Sequence, residues 1–147
     1  MTTTLIAQTE ETMAEPSAEK NGTILIVDDE KDMGWVIERI LRDSGYEVVT
    51  ASSGAECLAK FEQYARKIPM VLLDHKLPDA SGIDLIEQMK KLSPKTKFVI
   101  ITAFGTPEMK KLALEKGATE VLDKPFRVEK MLKMIRIACE SYQQIPK

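Results

Sequence analysis

The stretch "TILIVDDEKD", Thr23–Asp32, decides the fold. Its first five residues are all β-branched or aliphatic and read as a buried strand. The run then ends in two adjacent aspartates. An ionised carboxylate taken out of water needs a counter-charge, a metal or a set of donors, and two side by side also repel each other. The end of this strand must therefore meet a cation or open water.

Four more runs of strand length lie downstream: "YEVVTA" (Tyr46 to Ala51), "MVLLD" (Met70 to Asp74), "KFVIITA" (Lys97 to Ala103) and "TEVLDK" (Thr119 to Lys124). Three of the five runs are almost continuously apolar, as parallel strands covered by helices on both faces must be. Helix-period segments alternate with them over Lys31 to Ser44, Ser53 to Lys67, Gly82 to Leu92, Thr106 to Lys116 and Val128 to Gln144. The last carries Val128, Met131, Leu132, Ile135, Ala138, Cys139 and Tyr142 on one stripe. Punctuation agrees: Gly45 and Gly117 sit where helices should stop, Ser53 where one should be capped, and Pro107 in a first turn. Five strands alternating with five helices predict an α/β domain, doubly wound around a five-stranded parallel sheet.

A chain of 147 residues suits one domain with a full core. The expected boundaries are a disordered leader over residues 1–22, a domain over 23–144 and a short tail over 145–147. Net charge is −2 with both signs mixed along the chain. No basic field points to direct nucleic-acid binding or to an acidic membrane. Cys57 and Cys139 fit neither a metal spacing nor a secreted disulfide framework, and read as reduced, half-buried core residues of a cytoplasmic protein. The leader has no basic segment, and its longest apolar run is Leu5 to Ala7, so neither a signal peptide nor a membrane anchor is expected.

In a doubly wound fold, ligands bind outside the carboxyl ends of the strands, where the strand order reverses. Asp28 and Asp29 end the first strand, Asp74 the third, Thr102 the fourth and Lys124 the fifth, just before Pro125. Three carboxylates in one shallow cleft suit a hard divalent cation that keeps several waters, and Mg²⁺ is the natural candidate. A hydroxyl and an ammonium beside them suit the oxygens of a phosphoryl group. Asp74, alone at a central strand end, is best placed to attack phosphorus as a covalent nucleophile, while the adjacent pair holds the metal.

The set "VDDE", "LLDHKLPDASG", "ITA" and "DKPF", in this order on these elements, resembles the receiver domain of two-component response regulators, a flavodoxin-like fold. That resemblance implies that Asp74 accepts a phosphoryl group from a phosphohistidine on a sensor histidine kinase or phosphotransfer protein. Asp29 and Asp74, with the backbone carbonyl of Lys76, would bind Mg²⁺, and Asp28 would act mainly through metal-bound water. Lys124 would pair with the phosphoryl oxygens, Thr102 would turn toward them after phosphorylation, and the Lys124–Pro125 peptide would be cis. Such a chain is a switch that catalyses its own phosphorylation and dephosphorylation, not a conventional enzyme.

Val121 stands where most receivers carry an aromatic residue that swings inward with the threonine. Leu114 and Ile137 lie off their core stripes and join Val121 on the face of the fourth helix, fifth strand and fifth helix. The resemblance makes that face the docking place of a downstream protein or a second receiver. Trp35 also falls off its stripe of Met33, Ile37, Ile40 and Leu41, close to the acidic pair, either packed against a neighbouring helix or free to meet a donor. His75 reads as a loop residue beside the site, and Ser81 and Ser93 as turn or cap residues. Gly82 is expected to supply a backbone conformation that residues with a Cβ avoid. Lys76 and Phe104 should flank the site. Two other readings are an interaction module that needs no phosphorylation and, less favoured, a Mg²⁺-dependent phosphohydrolase with an aspartyl-phosphate intermediate.

Overall fold

A computed structural model describes residues 22–64 and 67–144. The expected leader, Gly22 apart, and the expected tail lie outside those residues. The strands are β1 (Thr23–Val27), β2 (Glu47–Ala51), β3 (Met70–Asp74), β4 (Lys97–Thr102) and β5 (Glu120–Asp123). The helices are α1 (Lys31–Asp43), α2 (Gly54–Gln63), α3 (Gly82–Leu92), α4 (Pro107–Glu115) and α5 (Val128–Gln144). All strand pairs are parallel, in the order β2-β1-β3-β4-β5, which is the doubly wound, flavodoxin-like arrangement expected.

Alternation along the strands sorts the core into two layers. Leu25, Val27, Val71, Leu73, Phe98 and Ile100 face one way, onto Cys57 and Phe61 of α2, Ile83, Ile86 and Met89 of α3 and Ala113 of α4. Ile24, Ile26, Met70, Leu72, Val99 and Ile101 face the other way, onto Ile37 and Leu41 of α1 and Met131, Ile135 and Ala138 of α5. Both faces of the inner strands are thus dry, which explains their continuous apolar runs.

The helix ends follow local chemistry. Ser53 Oγ accepts from the Glu56 N–H at 3.1 Å, Ser81 Oγ from Ile83 at 3.2 Å, and Thr106 Oγ1 from Met109 at 3.1 Å. Pro107 opens α4. Gly45 and Gly117 have φ of 94° and 119°, the left-handed conformation that ends a helix at least cost on glycine.

Two expectations need correction. The second helix stops at Gln63, not Lys67: Tyr64 caps it, and the Lys67 N–H donates to the Tyr64 carbonyl in a turn. The chain there must leave the helix for Pro69, whose ring disfavours helical geometry at the fully buried Ile68. Cys57 and Cys139 are buried, not half-buried, and burial pushes both thiols up to about 12. Among the described residues no helix is long and apolar enough to cross a membrane.

Candidate functional site

β1 and β3 lie side by side where the sheet order reverses, so the chain leaving each strand opens onto the same crevice. Asp28 follows β1, held by its N–H donating to the Ala51 carbonyl at 3.0 Å. Its Oδ1 accepts from the Glu30 N–H at 2.8 Å, a turn that brings Glu30 back over the strand end. Asp74 closes β3, with Oδ1 3.4 Å from the Lys76 N–H that donates to it. One oxygen from each of Asp28, Glu30 and Asp74 lies within 4.8 Å of the others.

Lys124 enters from β5. Its backbone N–H donates to the Thr102 carbonyl at 2.8 Å, and the Lys124–Pro125 peptide is cis. Its Nζ lies 3.2 Å from Glu30 Oε1, with the lysine side chain 15% and the glutamate 67% exposed. Thr102 is buried at the end of β4, its Oγ1 accepting from the Phe104 N–H at 3.3 Å.

Burial is the main force on the two half-buried aspartates and raises both carboxyls above their ordinary value. For Asp74 the Lys124 charge and the Lys76 N–H oppose that rise, while Asp29 and Glu30 add to it. For Asp28 the Glu30 N–H and Lys124 oppose it, and Asp74 and Glu30 add to it. Oxygen donors brought together at this cost in desolvation fit a hard divalent cation, which would favour their charged forms.

Of the residues read from the sequence, the structure brings Asp28 and Asp74 together, with Lys124 beside them through Glu30. Asp29 is exposed, near enough to repel the Asp74 charge but outside the group of three oxygens. Glu30 takes a place in that group that the sequence reading did not give it. Nothing local tells which of three consecutive acidic residues turns inward. Lys76 is bridged to Ser81 across the loop that follows Asp74.

Gly82 is needed for a reason other than the one expected. Its φ is not left-handed; instead a Cβ there would overlap the backbone carbonyl oxygen of Asp74. Its N–H donates to the carbonyl of His75 at 2.9 Å, so the first turn of α3 is pressed against the acceptor strand. Asp79 reaches the other way, its carboxylate accepting from Gly54 and Ala55 N–H groups at 2.6 and 3.0 Å. The loop after Asp74 is thereby tied to the start of α2, a link without a local sequence signal.

Trp35 is 61% exposed and lines a cleft with Ile26, Asp28, Gly34 and Glu38. More than half of its surface is thus open to solvent. Nothing in the structure requires a glycine at position 34, where a Cβ would make only ordinary contact with Asp28. Leu114 and Ile137 are exposed, and Val121 is half-buried against the core layer beneath α2, α3 and α4. The side chain of Met33 lies outside the described ones.

The family profile described as the response regulator receiver domain matches residues 24–136. The chain is 33% identical over 126 residues to the DNA-binding transcriptional regulator NtrC of Escherichia coli (strain K12), covering 85% of this chain and 26% of that protein. It therefore spans about a quarter of the length of NtrC. It is 32% identical over 118 residues to the chemotaxis protein CheY of Listeria monocytogenes, covering 80% of this chain and 98% of CheY. The crystal structure of a response regulator receiver domain protein from Clostridium thermocellum superposes with a TM-score of 0.78 at 34% identity, covering 83% of this chain and 97% of that one.

Proposed function

The chain belongs to the response regulator receiver family, and from that premise we propose that it is a signalling switch set by phosphorylation of Asp74. The observation that carries this reading is the approach of the Asp28, Glu30 and Asp74 carboxylates to within 4.8 Å, with the Lys124 ammonium at their rim.

In the proposed reaction a carboxylate oxygen of Asp74 attacks phosphorus. The bond from phosphorus to a histidine nitrogen of a sensor kinase or phosphotransfer protein breaks, and its electron pair returns to that nitrogen. The product is an acyl phosphate on this chain, so the protein acts on itself and is not a conventional enzyme. Asp28 and Asp74, joined by Asp29 and the Lys76 carbonyl, would hold Mg²⁺, with Glu30 left to its ion pair with Lys124. Bound there, Mg²⁺ supplies positive charge that offsets the phosphoryl oxygens. Lys124 offers a second positive charge at the rim of the same carboxylate group. Thr102 lies one strand over, with a hydroxyl engaged among the described residues by a backbone N–H at 3.3 Å and able to exchange that partner for a phosphoryl oxygen.

The output surface in this reading is the face of α4, β5 and α5, where Leu114 and Ile137 expose apolar side chains and Val121 lies half-buried on β5. A downstream protein or a second receiver is the proposed partner there, not nucleic acid or membrane, and the cytoplasm is the proposed location. Hydrogen exchange with and without Mg²⁺ and beryllofluoride tests the switch: protection should change at α4 and β5 as well as around Asp74. A change confined to the site would favour a second reading, in which Val121, unable to act as an aromatic switch, leaves an interaction module indifferent to phosphorylation.

A further inference from the structure

Lys124 and Glu30 form an unequal ion pair. The ammonium is largely enclosed, at 15% exposure, while the carboxylate that meets it at 3.2 Å is 67% exposed. The lysine is fixed by its own backbone bond to Thr102 and by the strand that carries it. Glu30 sits on a loop and keeps most of its hydration, so it can leave the pair with little desolvation to repay. Among the described residues Asp28 and Asp74 also feel the lysine's charge, and Glu30 is the carboxylate in direct contact with it.

Resting on the reading of Asp74 as phosphoryl acceptor, we propose that Glu30 is the resting counter-ion of Lys124 and competes with the aspartyl phosphate for it. A phosphoryl group brings roughly two negative charges and several strong acceptor oxygens. One ammonium is a single compact point charge. The phosphoryl oxygens, with the larger charge, draw that ammonium away from Glu30, whose carboxylate is also repelled by the new charge. The pair at 3.2 Å thus stabilises the unphosphorylated state selectively. Glu30 acts on the reaction through Lys124 and is a positioning residue, not a catalytic one.

The test is a double-mutant cycle on beryllofluoride binding at saturating Mg²⁺, read by the ¹⁹F signal of the bound species. The four proteins are the unsubstituted chain, Glu30→Gln, Lys124→Met and the double variant. Glu30→Gln should tighten binding about threefold where Lys124 is present, the scale of a partly exposed ion pair, and by clearly less in the Lys124→Met background, where only the direct repulsion is relieved. Equal tightening in both backgrounds would make Glu30 a bare repulsive charge. Loosening would make it part of the metal's own shell, and no change in either background would deny it any role; each of these overturns the proposal. Failure of the unsubstituted protein to bind beryllofluoride would instead remove the Asp74 reading on which the proposal rests.

Discussion

Gly82 packs so closely beneath Asp74 that a single added methyl group would overlap the aspartate's carbonyl oxygen. The obstacle is backbone, which cannot rotate aside as a side chain could. Gly82→Ala should therefore destabilise the fold by about 1–3 kcal/mol, the usual cost of overpacking, and shift Asp74 against its partners. Urea denaturation and the rate of labelling by acetyl phosphate should both change. Unaltered stability together with unaltered labelling would show that the first turn of α3 does not set the acceptor strand.

Asp79 ties the loop after Asp74 to the start of α2, and the Gly54 and Ala55 N–H groups hold its carboxyl below the usual range. A depressed carboxyl adds stability that is fully present above its ordinary value of 3.8 and is lost as pH falls through the lower folded value. Asp79→Ala should lower the melting temperature at neutral pH, and the gap from the unsubstituted protein should close in acid. A gap that stays constant on acidification would mean that the charged cap is not its source.

Asp28 and Asp74 behave oppositely. Burial raises both carboxyls, so their contribution to stability is present below the ordinary value of 3.8 and is lost as pH rises through the higher folded values. In metal-free buffer Asp28→Asn should melt a few degrees higher than the unsubstituted protein at neutral pH, with the two converging in acid. Mg²⁺ should raise the melting temperature of the unsubstituted protein by mass action and narrow or reverse that order. Chelation should restore it. Curves that stay parallel across pH, with or without Mg²⁺, would contradict a desolvated acidic site.

Trp35 exposes 61% of its surface beside Asp28, on the helix that follows the acidic loop. A kinase or phosphotransfer domain that delivers its phosphohistidine to Asp74 would pass over this side chain. Trp35→Ala should slow transfer from the protein donor severalfold and spare labelling by acetyl phosphate, measured side by side. Equal slowing of both would assign Trp35 to the site itself.

Local features of this molecule could be read from the sequence because their cause lies within a few residues. Ser53 caps the turn it begins, Pro107 opens a helix, and Gly45 and Gly117 close helices with positive φ. The strand ends were legible too, since charge after a buried run can only be the rim of the sheet. Contacts across the chain were not. Glu30 meets Lys124 over a separation of 94 residues, and Asp79 meets Gly54 over 25. Gly82 shows the intermediate case: glycine marks a demand for room or for unusual φ, and only the Asp74 carbonyl beside it tells which.

The central claim is that Asp74 takes the phosphoryl group, and intact mass after incubation with Mg²⁺ and acetyl phosphate tests it most directly. The account predicts a single phosphoryl adduct on the unsubstituted protein, none after chelation of Mg²⁺ and none on Asp74→Asn. An adduct that persists on Asp74→Asn, or its absence from both proteins, would contradict it.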